Sequence, residues 1–135
     1  MKQSRFLLLG ALEFVLVAGL LVLFGVRAAL SSPLVAGMAL SGACFALAGT
    51  VASVVVGPLS LSWRGLVGTG YLVFALLWPV HAAGPVLAGN AAVRGLAFLA
   101  AMLVGALSLA FFGVQVLVDG PHADVTPDVD RTLAW

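Results

Sequence analysis

Glu13 is the only acidic residue before Asp119, and it lies within an otherwise uncharged apolar run from Phe6 to Val26. A carboxyl group inside a hydrocarbon-length segment costs about 3 kcal/mol or more, so such groups are paired, protonated or functional. Three chemistries are open to it. Glu13 can exchange protons or hold a cation; it can stay hydrogen-bonded as interhelical glue, worth about 0.6–2 kcal/mol; or it can pair with an arginine of a partner subunit. Counting residues inward from the ends of the apolar segments places other polar groups at a similar depth. Thr50 and Ser53 stand near the end of the second segment, Thr69 and Tyr71 near the start of the third, and Gln115 near the end of the fourth. With Glu13 these are expected to form one polar layer, a candidate proton or ion site or a packing layer, in the cytoplasmic half. Only Ser41, Cys44 and His81 are expected in the other half.

Other chemistries lack their residues. No Ser-His-Asp set, phosphate loop or metal-ligand spacing occurs, so no catalytic residue, cofactor or metal is expected. His81 and His122 are expected at opposite faces and cannot share a haem. Cys44 reads as a small buried hydrophobe, and a lone cysteine makes no disulfide framework. Arginines are spread over the segment ends, which leaves no basic patch for nucleic acid.

The elements that must position Glu13 follow from composition. The chain of 135 residues is 63% hydrophobic and 8% charged, with a mean hydropathy of +1.22. An average soluble domain is about 25% charged, so the chain reads as an integral membrane protein. Four segments reach the length of about 20 apolar residues that a span requires: about 6–30, 33–56, 63–82 and 91–118. Ser32 with Pro33, Ser60 or Ser62, and Asn90 are the expected helix starts. Gly57-Pro58 and Asp119-Gly120-Pro121 are the expected stops. Short links force neighbours antiparallel. The expected fold is an all-α membrane protein, a four-transmembrane-helix up-down bundle over residues 1–118. An acidic C-terminal tail, 119–135, follows as a solvated end carrying Asp119, Asp124, Asp128 and Asp130 against Arg131. The first segment is too long for a signal-peptide core and is expected to be retained.

Lys2, Arg5, Arg64 and Arg131 against Arg27 and Arg94 place both termini in the cytoplasm at the cell membrane, by a margin narrow enough to leave dual topology open. Small residues recur every fourth position at Gly49, Ser53 and Gly57, and again at Ala97, Ala101 and Gly105. That spacing lets helix backbones approach closely, within one chain or between chains. Val26-Arg27-Ala28-Ala29 and Val80-His81-Ala82-Ala83, each followed by a proline, hint at a duplicated hairpin. The excess of aspartate over glutamate and of arginine over lysine resembles the composition of proteins from salt-loving archaea.

The function expected is that of a small polytopic membrane protein without enzymatic chemistry. It would serve as a structural or accessory subunit, its partners being the lipid bilayer and either copies of itself or other membrane subunits. The alternative is a proton-coupled transporter of a small molecule or ion centred on Glu13. Glu13 in the first segment, with Trp63, Gly65, Gly68 and Tyr71 opening the third, resembles the small multidrug resistance transporters. That resemblance implies an antiparallel dimer in which the glutamate binds cationic aromatic drugs and protons in alternation.

Overall fold

Twenty helical residues rise about 30 Å, the thickness of bilayer hydrocarbon, and the first helix has that length. In the computed structural model, which describes residues 2–27, 31–89, 93–120 and 125–134, α1 spans Arg5–Phe24, α2 Pro33–Thr50, α3 Trp63–Leu87 and α4 Val93–Leu117. All four are long and apolar enough to cross a membrane. Gly25, at φ +80°, ends α1 short of the expected residue 30. Pro33 opens α2, and the Ser62 hydroxyl accepts from the Gly65 amide to cap α3. Helix α3 runs through Pro79 to Leu87, beyond the expected 82. The hinted repeat therefore falls in unlike places, residues 26–27 beyond the end of α1 and 80–83 inside α3. Asn90, Asp124, His122 and Trp135 lie outside the described residues.

The main departure from an all-α fold is a sheet. Helix α2 stops at Thr50, not at residue 56, because Val51 turns extended (φ −137°, ψ 148°). Beyond it Ser53–Val56 forms β1, which pairs antiparallel with β2, Leu59–Ser62. Three successive valines favour a pleated surface over a helix, because branching at Cβ restricts χ1 against the preceding turn. Gly57 at φ +56° followed by Pro58, whose ring fixes φ near −65°, gives the two-residue turn that suits strand twist. A third strand, β3 (Thr132–Ala134), pairs parallel with β1, so the order is β2-β1-β3. Residues 125–134 are thus tied into the fold and do not form a free tail.

The ties are specific. The Gln3 amide donates to Thr126 O at 3.0 Å, and the Ala52 amide to Arg131 O at 2.6 Å. Ser4 donates twice to Asp128, from its amide at 2.8 Å and its hydroxyl at 2.7 Å. Arg64 pairs with Asp119 and lies 4.9 Å from the Trp63 ring centre. Gln3 is fully buried, and its Nε2 donates to Ala48 O at 2.8 Å and Val51 O at 2.9 Å, the carbonyls that the end of α2 leaves open. Beside it sits the core: Phe6, Phe45, Ala48, Val51, Trp63, Leu66, Val67, Val116 and Val125.

The helices pack as α1 on α2, α2 on α3 and α3 on α4, and among the described residues α1 and α4 form no comparable seam. Glycines set the closest approaches, since a missing Cβ lets backbones touch. A Cβ on Gly10 would stand 2.6 Å from Gly42 O, one on Gly49 2.2 Å from Leu7 N, and one on Gly68 2.9 Å from Gly113 O. Gly49 therefore lies in the α1–α2 seam. Ser53 and Gly57, expected to continue that helical stripe, lie instead in β1 and its turn.

Candidate functional site: Glu13 and an open trough

Glu13 faces α2 from the middle of α1 and is 6% exposed. The Ser41 hydroxyl donates to its Oε2 at 2.5 Å and lies 3.2 Å from Met38 O. The pair can meet because the backbones are close. A Cβ on Gly42 would come within 3.2 Å of Glu13 Cβ.

Ser41 was expected in the opposite half from Glu13. The early end of α2 corrects the depth scale. At ~1.5 Å per residue, Ser41 lies ~13 Å from Thr50, and Glu13 ~12 Å from Arg5. Thr50, now the last helical residue, turns its hydroxyl back to Ala46 O at 3.0 Å and Leu47 O at 3.1 Å. The Ser53 hydroxyl bonds Thr132 Oγ1 at 3.4 Å across the sheet. Thr69 is exposed. Gln115 sets its Oε1 against Gly120, with no hydrogen-bond partner among the described residues. Of the expected layer, only Tyr71 shares surroundings with Glu13.

Those surroundings are a trough along α3. Glu13 lines its first part, of about 190 Å³, with Leu9, Leu12, Leu16, Phe45, Tyr71, Phe74 and Leu109. Phe74 and Leu109 also line the next part, of about 310 Å³, with Trp78, Ala101, Met102, Gly105, Ala106 and Ser108. Trp78 and Met102 continue into a third, of about 170 Å³, bounded by Leu34, His81, Ala82 and Phe98. Shared lining residues set these hollows end to end as an aromatic-floored trough along α3 and α4, with α1 lining only its first part. Tyr71 is fixed in its floor by edge contacts with Phe45 and Phe112, at 5.0 and 5.8 Å between ring centres.

Ala97, Ala101 and Gly105 lie on this open side. Ala97 and Ala101 are exposed, and a Cβ at Gly105 would meet nothing within 4 Å. Among the described residues no helix closes on Gly105. Cys44 is buried, with a free thiol. Among the described residues no cluster of three His, Cys, Asp or Glu side chains is placed to hold a metal.

Chemically, the site offers one carboxyl held by one hydroxyl, beside an apolar trough with an aromatic floor. It can keep a neutral acid or face a cation entering from the trough. Outside the helices the clearest electrostatic perturbation is at Asp128. The Ser4 hydroxyl and then its amide hold that carboxyl below the usual carboxylate range. Sequence reasoning overlooked Gln3, for which short-range pattern carried no signal. It also overlooked the Glu13–Ser41 pairing, which did leave a trace: folding the first two segments about Arg27 sets position 13 opposite position 41.

The chain belongs to a family of unknown function, DUF7994, whose sequence profile matches residues 1–129. No curated protein and no solved structure matches it.

Proposed function

For this member of a family of unknown function, we propose an integral membrane role without enzymatic chemistry. The protein is a structural or accessory subunit whose trough along α3 and α4 receives a transmembrane helix of a neighbouring subunit, either a second copy or another membrane protein. One observation carries the reading: the small residues Ala97, Ala101 and Gly105 stand unpacked beside that trough. In lipid, helices associate through such small-residue surfaces, because no hydrophobic drive separates helix from acyl chain. Glu13, bonded to Ser41 in the α1–α2 seam, then acts as glue within the subunit. Lys2, Arg5, Arg64 and Arg131 all lie at the sheet end, which supports placing that end in the cytoplasm.

The test is assembly. Gly105→Leu and Ala101→Leu should each reduce oligomer or complex in gently solubilised membranes, read by native mass spectrometry, while the chain still inserts. An unchanged assembly state in both variants sinks the reading. A second reading has its own observation, since Glu13 lines the trough with Tyr71 and Phe74. In it Glu13 exchanges a proton for a cationic aromatic molecule entering from the side. Glu13→Gln separates the two: a transporter loses proton-coupled flux with assembly intact, whereas the subunit reading expects no flux to lose.

A further inference from the structure

The small sheet has two chemically different faces. Its register sets Val54 beside Leu61 and Leu133, and Val56 beside Leu59, and side chains two positions apart share a face. One face is therefore aliphatic throughout: Val54, Val56, Leu59, Leu61 and Leu133. The other presents Ser53, Val55, Ser60, Ser62 and Thr132, four hydroxyl side chains around one valine, with Ser53 and Thr132 in hydroxyl contact.

The direction of the aliphatic face is fixed by Val54, which packs on the helix core. That face is thus turned toward the helices and away from the water side of the sheet. Beyond Val54 the helices no longer cover it. Val56 is 55% exposed, Leu59 67%, Leu61 42% and Leu133 36%. No charged residue occurs between Val51 and Trp63. The level of the overhang is fixed as well. β2 passes into α3 without a loop, and α3 opens with Arg64, paired with Asp119 just beyond α4, charges that stay at the polar end of a span.

We propose that the β1–β2 hairpin is an interfacial lipid anchor, its aliphatic face resting in the headgroup–acyl boundary of the surrounding leaflet and its serine face in water. This rests on the membrane reading above. The occupant follows from position: the overhang continues the apolar surface of the helices at the height of their polar boundary, where a bilayer holds lipid. A sheet belongs at that depth and no deeper, because its free edge groups need water or headgroups for hydrogen bonds. The sheet does what an amphipathic helix does when it lies in the interface plane.

The test uses nitroxide labels on the full chain in vesicles of phosphatidylcholine and phosphatidylglycerol. Labels go at Leu59→Cys, Val56→Cys and Ser60→Cys, with Leu107→Cys on α4 as a lipid reference and the unsubstituted chain, whose Cys44 is buried, as a blank. Oxygen accessibility severalfold above that of a water-soluble nickel chelate is expected at positions 56 and 59, with the ratio reversed at 60. If 56 and 59 match 60 while 107 remains oxygen-favoured, the anchor is wrong and the membrane reading stands. If 107 also favours nickel, both are overturned.

Discussion

Replacing Gln3 by alanine should loosen the junction of α2 with the sheet. Gln3 Nε2 donates to Ala48 O and Val51 O at 2.8 and 2.9 Å. Ala48 O has no helical donor of its own, because the Ala52 amide that would reach it is given to Arg131 O. Each buried carbonyl left open costs about 1–3 kcal/mol. Against this, Gln3 Oε1 is itself buried without a partner among the described residues, and removing it returns about 1 kcal/mol. Two carbonyls less this return make the net loss about 1–5 kcal/mol, or about 3–25 °C in Tm for a chain of this size. The chain carries its own reporter, since Cys44 is its one cysteine and is buried. A thiol-reactive dye in detergent therefore reads unfolding directly. Gln3→Met keeps the volume and removes the donors, so it should fall as far as Gln3→Ala. A wild-type Tm for Gln3→Met would refute the capping argument.

Gly49→Leu should prevent stable folding, because its side chain would enter the Leu7 backbone, a clash that repacking does not relieve; dye labelling of Cys44 without heating would register it. Ser41→Ala removes the hydroxyl that donates to Glu13 and should cost about 0.6–1.7 kcal/mol, measured by the same melt. Asp128 gives a pH dependence whose sign is fixed. Its folded-state pKa lies below the unfolded value, so its contribution is complete above the ordinary carboxylate pKa of about 4 and is lost as pH falls through the lowered value. Proteolysis of residues 125–134 should accelerate in that acid range, and Ser4→Ala should flatten the dependence.

Hydropathy located the four helices because each needs only length and the absence of charge, and those are visible residue by residue. It failed at Val51–Val56 because an apolar run is equally compatible with helix and buried strand; three adjacent valines before Gly57-Pro58 carried the strand signal. That one misplacement shifted every depth estimate on α2, which is why Thr50 was set beside Glu13 and Ser41 was not. The trough was not legible at all. Whether α1 meets α4 is decided by the angles at which the three helix seams cross, and no single segment encodes that. The stripe at Ala97, Ala101 and Gly105 was visible, but its pattern does not say which helix it faces.

The pairing of β1 with β3 imposes an order of events in time. Ser53–Val56 leaves the ribosome before α3 and α4, whereas its parallel partner Thr132–Ala134 follows both. At ~5–20 residues per second the wait is roughly 4–15 s. Throughout it Ala52 and Ser4 lack their partners Arg131 and Asp128, and Val125 is missing from the core. The helices must therefore be laid down first, and a segment made after them locks two made before them.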